Sequence, residues 1–174
     1  MSRPDRVQVL ADKDEIRDLA LRYARGVDRQ DAELLRGLYT PDAIDDHGPV
    51  FCGAASEYVD LLETTFAFIT VGGHYVCNHL IDILGPDRAE GEVYTLGYHV
   101  IPAPDGGFTE SFVGVRYLDQ YRREAGRWLF ARRQVIFDLD TTRELSHAGS
   151  VPEDHAADRS YDALSSPLFR RHTR

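Results

Sequence analysis

The tightest constraint on this chain is a series of four long strand-type segments in its second half, joined by links too short for a crossover. They fall at about 74–84, 89–102, 109–122 and 127–140, and each is rich in β-branched and aromatic residues. Between them stand Gly85-Pro86-Asp87, the stretch 102–107 and Glu124-Ala125-Gly126, all of them turn chemistry. Parallel neighbours need connections of about a dozen residues or more, so these segments are expected to form an antiparallel meander.

The first half reads as helix. Asp12 and Glu15 have capping-box spacing, and Ile16, Leu19, Ala20, Tyr23 and Val27 then recur at helical intervals. Gly26 is a stop signal, which puts Asp28 at or just beyond the helix end. Asp31 is positioned to cap a short second helix carrying Leu34, Leu35 and Leu38. Residues 40–52 read as a loop with a short strand. A third helix is expected over 54–69, with Tyr58, Leu61, Leu62, Thr65 and Phe66 inward and Gly72-Gly73 after it. Helices first and strands last is an α+β signature, and 174 residues suffice for one domain with a sizeable core. The expected division is a leader at 1–11, a domain at 12–142 and a tail at 143–174 that wraps a neighbouring chain or stays loose.

Charge and composition exclude several functions. A net charge of -9 and a pI near 5.2 argue against nucleic-acid binding, whose footprint is basic. The basic end, Arg170 to Arg174, is too short to reverse this and reads as a solvated tail. No run of about 18 apolar residues is present to span a membrane, and the start lacks a secretory pattern. Cys52 and Cys77 have neither zinc-ligand spacing nor a disulfide framework, so free thiols in a reducing cytoplasm are expected.

Five polar residues carry candidate chemistry. Strand alternation puts Arg133 on a face with Leu129, Ala131, Val135, Phe137 and Leu139. A guanidinium there pairs with a buried carboxylate, snorkels to the rim, or meets an electronegative part of a substrate. His99 shares its face with Val93, Thr95, Gly97 and Ile101, small enough to leave space around an imidazole; the alternative is a hydrogen-bonded core histidine. Asp28 and His74 make sense as a pair, in which a carboxylate holds one ring nitrogen and the other takes a proton from a substrate. Taken alone, Asp28 is equally a cap or turn residue. Tyr23 either donates a hydrogen bond to a substrate oxygen or packs in the core. His74 and His79, five apart, fall on opposite faces of a regular strand and do not chelate a metal together. No phosphate loop, nucleophile elbow or metal-ligand spacing is present, so the expected site needs no cofactor.

The segment DEIRDLALRYARGVDRQDAELLRGLYTPDAIDD, from Asp14 to Asp46, resembles the opening of SnoaL-like proteins of the nuclear-transport-factor-2-like superfamily. HYVCNHLIDI at 74–83, EGEVYTLGYHV at 90–100 and GRWLFARRQVIFDLD at 126–140 resemble its later strands, in the same order. The resemblance implies a cystatin-like α+β roll: a cone-shaped, curved antiparallel sheet packed on three N-terminal helices around a deep pocket. It implies an Asp–His pair at Asp28 and His74, as in dehydrating and dehydrochlorinating members. Tyr23 matches a tyrosine of the bile-acid dehydratase, where the dehydrochlorinase has lysine. Arg133 matches that second enzyme's pocket arginine, and His99 is similar to the second histidine of scytalone dehydratase. An aspartate that the bile-acid enzyme carries near Gly97 is missing here.

The activity so implied is a cofactor-independent lyase eliminating water from a small aromatic or polycyclic substrate. Alternatives on the same fold are a formaldehyde-releasing carbon–carbon lyase on lignin-type aromatics, an isomerase or polyketide cyclase, and a non-catalytic small subunit or ligand-binding protein. The open face of such a sheet needs cover, so a homodimer or homotrimer is expected.

Overall fold

The computed structural model describes residues 5–149 and 155–173. Helix α1 spans Arg6–Asp28, with Asp5 as its cap accepting from the Val7 backbone N–H at 3.0 Å. It therefore starts six residues before the expected capping box, and residues 6–11 are helix rather than leader; residues 1–4 lie outside the described residues. Asp12 and Glu15 serve another purpose. Asp12 is buried mid-helix, where Gln8 donates to it at 2.9 Å and Arg123 ion-pairs with it. Glu15 accepts from the Trp128 backbone N–H at 2.9 Å. Both acids tie the helix to the sheet.

Gly26 does not stop α1. A Cβ at this position would lie 2.6 Å from Leu35 Cδ2, so the glycine permits close approach of the next helix. That helix, α2 (Ala32–Arg36), is capped by Asp31, which accepts from Leu34 N–H at 3.0 Å. Strands β1 (Tyr39–Asp46) and β2 (Cys52–Ala54) form a small hairpin. Helix α3 (Ala55–Thr65) ends in a single 3-10 turn, Phe66–Phe68, four residues short of the expected limit at 69.

The meander follows as β3 (Val71–Ile83), β4 (Arg88–Pro102), β5 (Phe108–Glu124) and β6 (Arg127–Leu145), each antiparallel to the next. The full order is β2-β1-β6-β5-β4-β3. β1 runs parallel to β6, so the curved sheet is mixed rather than wholly antiparallel. Its pairing closes across the helical half of the chain, beyond the reach of the turn signals. One face packs on the helices through Ile16, Leu19, Tyr23, Leu35, Val93 and Phe130, all buried.

Register shifts change which side chains share that face. The β3 register shifts between Val76 and His79, so His74, Val76 and His79 oppose Gly97, Thr95 and Val93 in turn. His74 and His79 thus lie on the same face, against the alternation expected of a regular strand. A second shift, between Gln120 and Tyr121, sets Phe130 opposite Tyr121 and Arg133 opposite Asp119, so Phe130 and Arg133 both turn inward.

Strand β6 continues to Leu145, past the expected boundary at 142. Of the tail, residues 150–154 and 174 lie outside the described residues. The segment from His155 to His172 folds back onto the end of α1. Arg25 donates to Ser160 Oγ at 3.1 Å and to the Phe169 carbonyl at 2.8 Å, and Arg29 pairs with Asp158 at 3.0 Å. Arg171 donates to the carbonyls of Arg29 and Gln30, and the His172 backbone N–H donates to Asp31 at 2.9 Å. Within the basic end, Arg171 and His172 bond to the end of α1 while residues 170–173 stay exposed. Cys52 and Cys77 are free and exposed. No described helix is long and apolar enough to cross a membrane.

Candidate active site

Asp28 is the last residue of α1, where a carboxylate opposes the negative end of the helix dipole. Two donors from β3 hold it there. The His74 backbone N–H donates to Oδ2 at 3.0 Å, and His74 Nδ1 lies 2.7 Å from Oδ1. An ionised carboxylate only accepts, so Nδ1 carries the proton and Nε2 is left for a substrate. Both side chains are largely buried, 12% exposed for His74 and 16% for Asp28.

His99 comes from β4, its ring edge-on to His74 with centroids 5.3 Å apart. Gly97 makes this contact possible: a Cβ there would lie 2.9 Å from Val113 Cγ2 and 3.2 Å from His99 Cε1. Burial lowers the His99 pKa to about 4, and the neighbouring His74 acts in the same direction. His99 is therefore neutral at pH 7. Asp28, His74 and His99 line one tight pocket with Val27, Phe66 and Ile69 as apolar walls. Its cavity of about 10 Å³ has room for no more than about one water. His155, from the folded-back segment, also lines it. Sequence reasoning missed His155 because it sits in the part assigned to the tail.

Tyr23 and Arg133 belong to a second, deeper cluster. Arg133 is fully buried, and Asp119 accepts from its Nε and Nη2, each at 2.8 Å. The guanidinium carbon lies 4.1–4.2 Å from the ring centroids of Tyr23, Tyr117 and Phe130. The structure thus places Arg133 with a buried carboxylate and an aromatic cage rather than in the dyad's pocket. Nothing in the sequence linked Asp119 to it, because the pairing depends on the register shift. Asp119 also accepts from Tyr121 O–H at 3.0 Å, and Tyr121 Oη lies 3.1 Å from His79 Nε2. Burial lowers the His79 pKa to about 4.

Tyr23 is 3% exposed, one helical turn before Val27 on the same stripe of α1. Burial raises its pKa well above the ordinary phenol value, with Tyr58 and Asp45 adding to the shift. Its hydroxyl lies 3.5 Å from that of Tyr58, whose own hydroxyl is 2.9 Å from His47 Nε2. His47 Nδ1 is hydrogen-bonded to Asp45, and Asp45 accepts from Tyr39 O–H at 2.7 Å. Sequence reasoning singled out neither Asp45 nor His47. Their only signal was an aspartate two residues before a histidine near a hairpin turn.

Among the described residues no group of histidine, cysteine, aspartate and glutamate is arranged to hold a metal ion. Helices packed on one face of a curved six-stranded sheet are the architecture that the resemblance to SnoaL-like domains implied. That family matches residues 8–134, and the chain belongs to it. No curated protein matches the sequence.

Solved structures repeat the fold. A scytalone-dehydratase-like protein of Novosphingobium aromaticivorans is 21% identical, with a TM-score of 0.69 over 82% of this chain and 97% of that one. The hexachlorocyclohexane dehydrochlorinase LinA type 3 of Novosphingobium barchaimii is 20% identical, with a TM-score of 0.72 over 85% of this chain and 99% of its own. A nuclear-transport-factor-2-like protein with a cystatin-like fold, also from N. aromaticivorans, gives 21% and 0.59 over 76% and 86%.

Proposed function

We propose that the protein is a lyase that removes a proton from carbon with His74 and expels an oxygen leaving group as water. The observation that carries this reading is the double hold of Asp28 on His74, through the backbone N–H and Nδ1. It fixes the ring and the tautomer, and it places a negative charge where positive charge develops as Nε2 takes the proton. The dehydratase-like and dehydrochlorinase neighbours support an elimination.

In this mechanism Nε2 takes the proton while the C–H electron pair forms the double bond and the C–O bond breaks. Neutral His99 donates a hydrogen bond to a polar substituent and orients it. Tyr23 gives its proton to the departing oxygen. The reaction needs no cofactor. Walls of Val27, Phe66 and Ile69 suit an aromatic or polycyclic skeleton. Such a ring exceeds the space present, so this reading requires the wall to which His155 contributes to open.

The test is a panel of hydroxylated aromatic and polycyclic ketones assayed by product mass. Loss of 18 mass units marks dehydration, loss of 30 marks formaldehyde release, and unchanged mass marks isomerisation. Asp28→Asn keeps one acceptor but offers an amide N–H where a carboxylate stood. It should lower kcat by about 10³–10⁴-fold with the fold intact. His74→Ala should abolish turnover. Full turnover by a folded His74→Ala variant removes this reading.

A further inference from the structure

The interior holds a second Asp–His pair that the mechanism above does not use. Asp45 and His47 lie at the end of β1, with Asp45 fully buried and the His47 side chain 13% exposed. From His47 a row of hydroxyls runs inward to Tyr58 and then Tyr23, which are 6% and 3% exposed. The Tyr58 ring stacks on the His47 imidazole at 4.2 Å, which holds the two in register. The row thus begins at His47, which is partly exposed, and ends at Tyr23, on the turn of α1 that precedes the pocket-lining Val27.

We propose that Asp45, His47 and Tyr58 form a proton relay that supplies Tyr23 from solvent. This rests on the lyase reading. His47, Tyr58 and Asp45 act through Tyr23 and do not touch substrate, so they are positioning and relay residues. The physical need is plain. Tyr23 alone is a poor acid, because its phenolate would be stranded in a buried site, and Tyr58 is raised by burial in the same way. A relay removes that intermediate.

With His47 as imidazolium, Nε2–H donates to Tyr58, Tyr58 O–H donates to Tyr23, and Tyr23 O–H faces the leaving oxygen. As the C–O bond breaks, each proton moves one place inward, and the oxygen leaves as water. Neutral His47, whose side chain is 13% exposed, then regains a proton from solvent at Nε2 when its bond to Tyr58 opens. Asp45 balances the imidazolium charge throughout, and Tyr39 O–H holds Asp45 in place. On the carbon side the abstracted proton resides on His74 and leaves from there.

The test compares two substrates with the same acidic C–H, one losing hydroxide and one losing carboxylate or halide, which need no protonation. His47→Gln and Tyr58→Phe should lower kcat for the hydroxyl substrate by about 10²-fold with KM within about twofold. They should leave the other substrate within about threefold. In His47→Gly, added azoles should restore the slow reaction, at rates that follow the azole pKa. Equal slowing of both substrates overturns the relay and leaves the His74 dyad standing, whereas indifference of both to His74→Ala overturns the dyad instead.

A substrate-free measurement guards against lack of turnover. In ¹⁵N-histidine NMR, Tyr58→Phe should change the chemical shift of His47 Nε2 while leaving the ring signals of His74 in place. An unmoved His47 Nε2 signal overturns the relay.

Discussion

Replacing Arg133 by methionine separates a structural arginine from a substrate-binding one. The methionine fills most of the volume but removes the positive charge. Asp119, fully buried, would then keep only the Tyr121 hydroxyl as a donor. Losing one member of a buried pair strands the other charge and costs about 3–5 kcal/mol. The contact with three aromatic rings at 4.1–4.2 Å is lost as well. For a chain of this size about 4 kcal/mol lowers Tm by roughly 8–16 °C.

The assay is equilibrium unfolding in urea of Arg133→Met, Asp119→Asn and the double variant, at pH 7. In the double variant a neutral amide still accepts from Tyr121, and no charge is stranded. More than half of the loss should return, with a coupling energy of about 2 kcal/mol or more. If Arg133→Met costs less than about 1 kcal/mol and couples to Asp119 by nothing measurable, the structural assignment of Arg133 fails.

Two further outcomes are expected. Gly97→Ala pushes a methyl against Val113 and His99, and should cost about 1–3 kcal/mol by overpacking; Val113→Ala in the same chain should restore most of it, and a fully stable single variant would show that the contact is slack. Burial lowers the pKa of His79 and of His99 to about 4, while their unfolded counterparts titrate near 6.5. The unfolded state thus binds more protons between those values. No penalty exists above about pH 6.5, and it grows as the pH falls toward 4, to about 2–3 kcal/mol per histidine. Urea midpoints at pH 6.8 and 4.8 should differ less in His79→Gln/His99→Gln than in the parent; an identical slope would count against the burial argument.

Turn chemistry and periodicity determined the meander, the helical first half and the α+β class, because both signals are local. Gly85-Pro86-Asp87 and Glu124-Ala125-Gly126 can only reverse a chain, and Asp31 caps α2 as its spacing demands. The pairing of Asp28 with His74 was also legible, through the resemblance and through an aspartate and a histidine whose chemistry is complementary. What local signals could not supply was register. One inserted residue after Val76 turned His79 to the same face as His74, and another before Arg133 aligned it with Asp119. The parallel β1–β6 pairing, the Asp45–His47 pair with its tyrosines and the return of His155 to the dyad all join residues far apart in the chain. Such contacts are selected by the summed packing of the whole sheet on its helices, so only the tertiary structure decides them.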